Sequence, residues 1–113
     1  MLQKGERISF ERRGDRMIVH IRGEIDHHSA VLVRTGIDRE IMQDRPREVL
    51  LDLSGVDFMD SSGLGLIMGR YALVTKYGGT LAVVDPSFAV TKILRLAGME
   101  RMITIKRTKE KKV

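Results

Sequence analysis

The apolar positions change period several times along the chain. From Ile8 to Glu11 and from Arg16 to Arg22 they alternate, with Met17, Val19 and Ile21 set against Arg16, Ile18, His20 and Arg22 and with Arg13-Gly14-Asp15 between the two runs. That pattern predicts a β-hairpin. From Asp26 through Gln43 the spacing becomes helical, since Ala30, Val33, Ile37 and Ile41 fall on one face, and Pro46 stops the helix from continuing. Val49 to Leu53 is a short apolar run of the kind found in an interior strand. Helical spacing returns at Leu64, Ile67, Met68, Tyr71 and Thr75, so a second helix is expected to begin at Ser61 or Ser62 and to break at Gly78-Gly79. Thr80 to Val84 reads as another buried strand. Asp85 is then expected to cap a third helix, with Pro86 in its first position, an apolar stripe of Val90, Ile93, Leu94 and Ala97, and Gly98 at its end. Met102 to Ile105 can return as a last strand.

Strands that alternate with helices need crossovers, and crossovers are nearly always right-handed. The later strands should therefore be parallel and the opening hairpin antiparallel, giving an α/β domain built on a mixed sheet covered by helices. Residues 1-113 form a single domain on this reading, and nothing repeats internally. In such a sheet, ligands and switching residues lie beyond the carboxyl ends of the parallel strands. Asp26, Asp60-Ser61-Ser62 and Asp85-Pro86-Ser87 all fall at strand-to-helix junctions, which points to one functional edge.

Composition narrows the field. With 113 residues, 42% hydrophobic and 31% charged, the chain can bury about two-thirds of its unfolded surface in one core. It contains no cysteine, which removes disulfides and thiolate metal sites. The opening residues lack a signal-peptide core and no apolar run approaches the ~20 residues of a membrane span, so a cytoplasmic protein without membrane contact is expected. The net charge of +5 is concentrated in Arg12, Arg13 and Arg16 and in a basic tail at about 106-113. No aromatic residues are interleaved there for base stacking, so these ends read as a solvated turn and tail rather than a nucleic-acid surface.

The chemistry concentrates in Asp57-Phe58-Met59-Asp60-Ser61-Ser62-Gly63-Leu64-Gly65. The first turn of a helix has unpaired N–H groups and the positive end of the macrodipole, so an anion there gains roughly 0.3–1 kcal/mol. A seryl hydroxyl in that position is suited to reversible phosphorylation. Gly63 and Gly65 each cost about 1 kcal/mol in a helix relative to alanine, which suggests close approach by a partner or a neighbouring strand. Gly63 to Gly69 also fits a loose dinucleotide-binding spacing, with Asp85 about twenty residues on. Such a fingerprint needs glycine directly after the strand, whereas Ser54 to Ser62 intervene here. His27 and His28 are adjacent and point about 100° apart on a helix, so they cannot chelate one metal together, and His20 stands alone on a strand face. No serine is paired with a histidine by spacing. No catalytic residue, metal or cofactor is therefore assigned, and the chain reads as a binding module rather than an enzyme.

The phosphorylatable segment, continued by Gly69-Arg70-Tyr71, resembles that of the bacterial anti-sigma factor antagonists, a branch of the STAS domains. Gly23-Glu24-Ile25-Asp26-His27-His28-Ser29-Ala30 resembles the loop and helix start beside it in the sporulation type. The resemblance runs from about Ile8 to Ile105. It implies a four- or five-stranded sheet with helices mostly on one side. It further implies that Ser61 is the phosphorylated residue, that Ser62 caps or points elsewhere, that Asp60 shapes the turn and kinase recognition, and that Asp26 lies near the phosphoserine. The partner it implies is an anti-sigma factor that is itself an ATP-dependent serine kinase, with a metal-dependent serine phosphatase restoring the unmodified form. The alternatives are a STAS module of a stress-signalling complex and a small nucleotide-binding protein using Gly63 to Gly69.

Overall fold

The computed structural model describes residues 7–108. Among these residues five strands form one sheet: β1 (Ile8–Arg13), β2 (Arg16–Ile25), β3 (Glu48–Met59), β4 (Thr80–Val84) and β5 (Thr104–Lys106), hydrogen-bonded in that order. Only β1 and β2 run antiparallel, and the pairs β2–β3, β3–β4 and β4–β5 are parallel. Three helices make the connections: α1 (His27–Asp44), α2 (Ser61–Lys76) and α3 (Phe88–Leu96).

The alternation in β2 and β3 decides where the core lies. Met17, Val19, Ile21, Val49, Leu51 and Leu53 are fully buried and join a single cluster with Val33 and Ile37 of α1, Ile67 and Val74 of α2, and Val90 and Leu94 of α3. Each side chain the size of isoleucine contributes roughly 1.5–3 kcal/mol by leaving water. The intervening strand residues Ile18, Leu50, Ala82 and Val84 form a smaller cluster on the other face. The α1 stripe foreseen from spacing holds, with Val33, Ile37 and Ile41 buried and Ala30 packed against them.

Three boundaries and one buried stripe differ from the sequence expectation. β3 continues past Leu53 to Met59, because register shifts between His20 and Arg22 and between Gly23 and Glu24 let the longer strand absorb one extra residue at each point without ending. The buried stripe of α2 is Gly63, Leu66, Ile67, Arg70 and Val74, while Met68 and Thr75 are exposed. Leu64 and Tyr71 are partly buried against the core beside that stripe. α3 begins at Phe88, and its cap is Ser87, whose hydroxyl accepts from the Val90 N–H at 3.1 Å. Asp85 cannot cap, since its backbone turns into the left-handed region and its carboxylate is taken by the Thr108 N–H at 2.8 Å and by the Thr108 hydroxyl. Finally, a 3-10 turn at Met99–Arg101 delays the last strand to Thr104.

The basic end of the chain divides at Thr108. Lys106 belongs to β5, and the Arg107 guanidinium donates to the Pro86 carbonyl at 2.7 Å and to the Thr91 hydroxyl at 3.0 Å. Residues 109–113 lie outside the described residues.

Candidate functional site

Parallel pairing carries β2 and β3 to the same level, with Ile25 opposite Met59. The Asp60 N–H then donates to the Ile25 carbonyl at 3.2 Å. Each strand is followed at once by an aspartate that caps a helix, so α1 and α2 start side by side at the sheet's carboxyl edge. Asp26 accepts from the Ser29 N–H at 2.9 Å while the Ser29 hydroxyl accepts from the Asp26 N–H at 2.9 Å. This reciprocal box satisfies two donors that a helix start leaves open. The Ser29 N–H, with help from the Ser29 hydroxyl and His28, outweighs desolvation and holds the Asp26 carboxyl below its ordinary range. Asp26 is therefore ionised at neutral pH. Asp60 accepts from the Ser62 N–H at 2.8 Å.

Ser61 is the first residue of α2 and is exposed, and no side-chain hydrogen bond occupies its hydroxyl among the described residues. Ser62 is half-buried and faces the space between the helices. The structure thus brings Asp26, Asp60, Ser61 and Ser62 to one edge. His27 and His28 stand beside them, both exposed, their rings edge to face with centroids 5.8 Å apart.

The two glycines separate. A Cβ on Gly63 would lie 2.7 Å from the Met59 sulfur and 2.8 Å from the Met59 Cβ, so that glycine is needed for α2 to close on the end of β3. A Cβ on Gly65 would meet nothing within 4 Å, and the same holds for Gly69. All three lie inside the helix rather than in a loop, and the Gly63 N–H already donates to the Asp60 carbonyl at 2.9 Å. A dinucleotide cradle needs such backbone N–H groups free in a turn.

Between α1 and α2 runs a groove of about 410 Å³, lined by His27, Val31 and Arg34 on one side and Ser62, Gly65, Gly69 and Arg70 on the other. Arg70 is only 8% exposed. Its Nε lies 2.8 Å from Asp38 Oδ1, an ion pair without the alignment of a hydrogen bond, and its Nη1 reaches the Leu66 carbonyl at 3.3 Å. Burial pushes the Arg70 guanidinium below the ordinary arginine range, Asp38 opposes that, and the charge of Arg34 adds to it.

Sequence reasoning missed Arg34 and Asp38, and it gave Ser29 and Arg70 no role beyond their place in the two resembling segments. Arg70 had a signal, since it falls four residues from both Leu66 and Val74 on the buried stripe. His20 is not isolated on its strand. Its Nδ1 lies 2.6 Å from Asp52 and its Nε2 2.9 Å from Glu11, on the sheet face opposite the helices. Cross-strand neighbours, invisible to local spacing, supply both carboxylates.

The model of the STAS domain matches residues 7–112. The chain belongs to the STAS family. It is 38% identical to an anti-sigma F factor antagonist of Paenibacillus polymyxa, over 87% of this chain and 84% of that relative. Its structure is similar to that of the anti-sigma factor antagonist SpoIIAA in its unphosphorylated form, with a TM-score of 0.78 and 26% identity over 91% of this chain and 89% of the other. The Bacillus cell fate determinant SpoIIAA in the phosphorylated form also matches, with a TM-score of 0.72 and 25% identity over 91% and 92% of the two chains. The α/β fold read from the hydrophobic pattern, a mixed sheet of five strands with three helices, is the STAS fold.

Proposed function

We propose that this STAS domain is an anti-sigma factor antagonist, a regulatory binding module whose affinity for its partner is switched by a phosphate on Ser61. The partner is an anti-sigma factor that is also an ATP-dependent serine kinase. Unmodified, the domain binds that kinase and frees the sigma factor. The observation that carries this reading is the Ser61 hydroxyl itself, exposed and without a side-chain partner among the described residues, at the first position of α2 and on the sheet edge that also carries the ionised cap Asp26 and the cap Asp60. Attack of that hydroxyl on the γ-phosphorus of ATP forms the Oγ–P bond, breaks the bond to the ADP oxygen and gives the hydroxyl proton to a base of the kinase.

The product carries about −1.5 to −2 charges. The N-terminus of α2 stabilises them by only about 1 kcal/mol, and the adjacent carboxylates oppose them. Burying that charge in the interface is costly, so the modified domain lets go. A metal-dependent serine phosphatase hydrolyses the ester and restores binding. The relatives named for opposing anti-sigma factors, and the existence of both forms of SpoIIAA, support this reading. On the same reading the domain works in the cytoplasm, where ATP and the sigma factor meet.

Titration of the domain into an anti-sigma factor kinase from the same genome, in ADP, tests it. Wild type and Ser61→Ala should bind alike, and Ser61→Asp should bind about thirtyfold more weakly, some 2 kcal/mol. Equal binding by Ser61→Asp would sink the switch.

A further inference from the structure

We propose that the groove between α1 and α2 receives an acidic segment of the partner kinase, with its carboxylate seated between Arg34 and Arg70; this rests on the function proposed above. The two helices start level, so depth along the groove can be counted from their ends. His27 to Arg34 and Ser62 to Gly69 are each seven residues, or about 10 Å. His27 and Ser62 therefore line the mouth, beside Ser61, and Arg34, Gly69 and Arg70 line the far end.

The floor is bare for no internal reason. Gly65 and Gly69, four residues apart on one face, weaken the helix relative to alanine. A Cβ at either would touch nothing within 4 Å, so the domain's own packing does not call for glycine there. Gly63, which must clear Met59, is the contrasting case. What the two glycines preserve is room for an external chain to lie against the α2 backbone. Val31, 44% exposed, gives that chain an apolar contact on the α1 side.

The charges fix its chemistry. Arg70 is more than nine-tenths buried, with its Nε held 2.8 Å from Asp38, and Arg34 is exposed with no acidic partner among the described residues. Asp38 balances one of these two guanidiniums and leaves the other. The mouth carries the opposite sign, from Asp26 and Asp60. A carboxylate is thus repelled where phosphate transfer occurs and attracted two turns away. Arginine at a partly desolvated site suits a carboxylate better than lysine does, because its planar fork donates two parallel bonds.

The decisive experiment uses the whole chain, a kinase from the same genome and two variants remote from Ser61, with thermal melting measured alongside. Gly69→Ala should melt at or above the wild-type temperature and yet bind the kinase at least tenfold more weakly. Arg34→Glu should bind weaker still, and both should raise KM for phosphate transfer to Ser61 more than they lower kcat. If Gly69→Ala melts lower than wild type, the exposed Arg34→Glu decides alone. Binding by the deciding variants within twofold of wild type, while Ser61→Asp still releases the kinase, would overturn the groove and leave the switch standing. Failure of wild type to bind any such kinase would overturn both.

Discussion

The Asp60 N–H donates to the Ile25 carbonyl across the ends of two parallel strands, at 3.2 Å. One bond therefore fixes the start of α2 against the residue that precedes the cap of α1. Ser61 inherits its position from this junction, not from a loop of its own. Because the Asp60 side chain also holds the Ser62 N–H, removing it should loosen the start of α2. Asp60→Ala is expected to lower stability by about 1 kcal/mol and Asp60→Asn by much less, read from chemical denaturation. An Asp60→Ala domain as stable as wild type would show that the cap does not hold the junction.

The glycines of α2 should respond in opposite directions. Gly63→Ala puts a Cβ against the Met59 backbone-proximal atoms, a clash of the kind that costs about 1–3 kcal/mol, and should lower the melting temperature. Gly65→Ala meets open space and should raise stability by up to about 1 kcal/mol. Melting curves of the two variants side by side check this, and a stabilised Gly63→Ala would contradict the packing described.

Much of this architecture could be read from the chain. The α1 stripe, the hairpin and the β4 run have clean periods, so they announce themselves. The start of α2 was legible because Asp60-Ser61-Ser62 supplies a cap and then a helical spacing. What could not be read depends on partners distant in sequence. Asp85 looks like a cap until Thr108 claims its carboxylate, and His20 looks solitary until β1 and β3 bring Glu11 and Asp52 to it. Arg70 is polar at a buried position only because Asp38 of α1 meets it there. The groove has no sequence signature beyond glycines whose emptiness only the packed helices reveal.

The His20 clamp makes stability depend on pH. Both ring nitrogens face carboxylates, which only accept, so both must donate and the imidazolium is the favoured form. Glu11 first and Asp52 second raise the His20 pKa above its ordinary value. A group whose pKa is higher in the folded than in the unfolded state binds more protons when folded. Its stabilisation is complete below about pH 6.5, the unfolded value, and is lost as pH rises through the raised one. The carboxylates act oppositely. Hydrogen bonding to His20 lowers Glu11, and Asp52 is lowered because Ser54 and His20 together outweigh its burial, so their share is lost as the solution becomes acid. The melting temperature of wild type relative to His20→Gln should therefore be greatest between roughly pH 4.5 and 6.5 and shrink above that window. A difference that grows from pH 6.5 to 8.5 would contradict the clamp.

Phosphorylation should leave the fold alone. The site is exposed and already capped, and the added anion changes the energy of the helix start by only about 1 kcal/mol. Amide resonances of Ser61, Ser62 and residues near Asp26 should move on phosphorylation, while those of Leu51 and Val83 in the sheet core should stay. Broad shifts through β3 and β4 would mean that the switch works by rearrangement rather than at the interface.

The most direct measurement maps the phosphate. Wild type, Ser61→Ala and Ser62→Ala are incubated with the anti-sigma factor kinase and ATP, and the modified residue is located by mass spectrometry. Wild type and Ser62→Ala should each carry one phosphate on Ser61 and Ser61→Ala none. Phosphate found on Ser62, Thr75 or Ser87 of the wild-type chain, or undiminished labelling of Ser61→Ala, would contradict the assignment of the switch to the exposed hydroxyl at the start of α2.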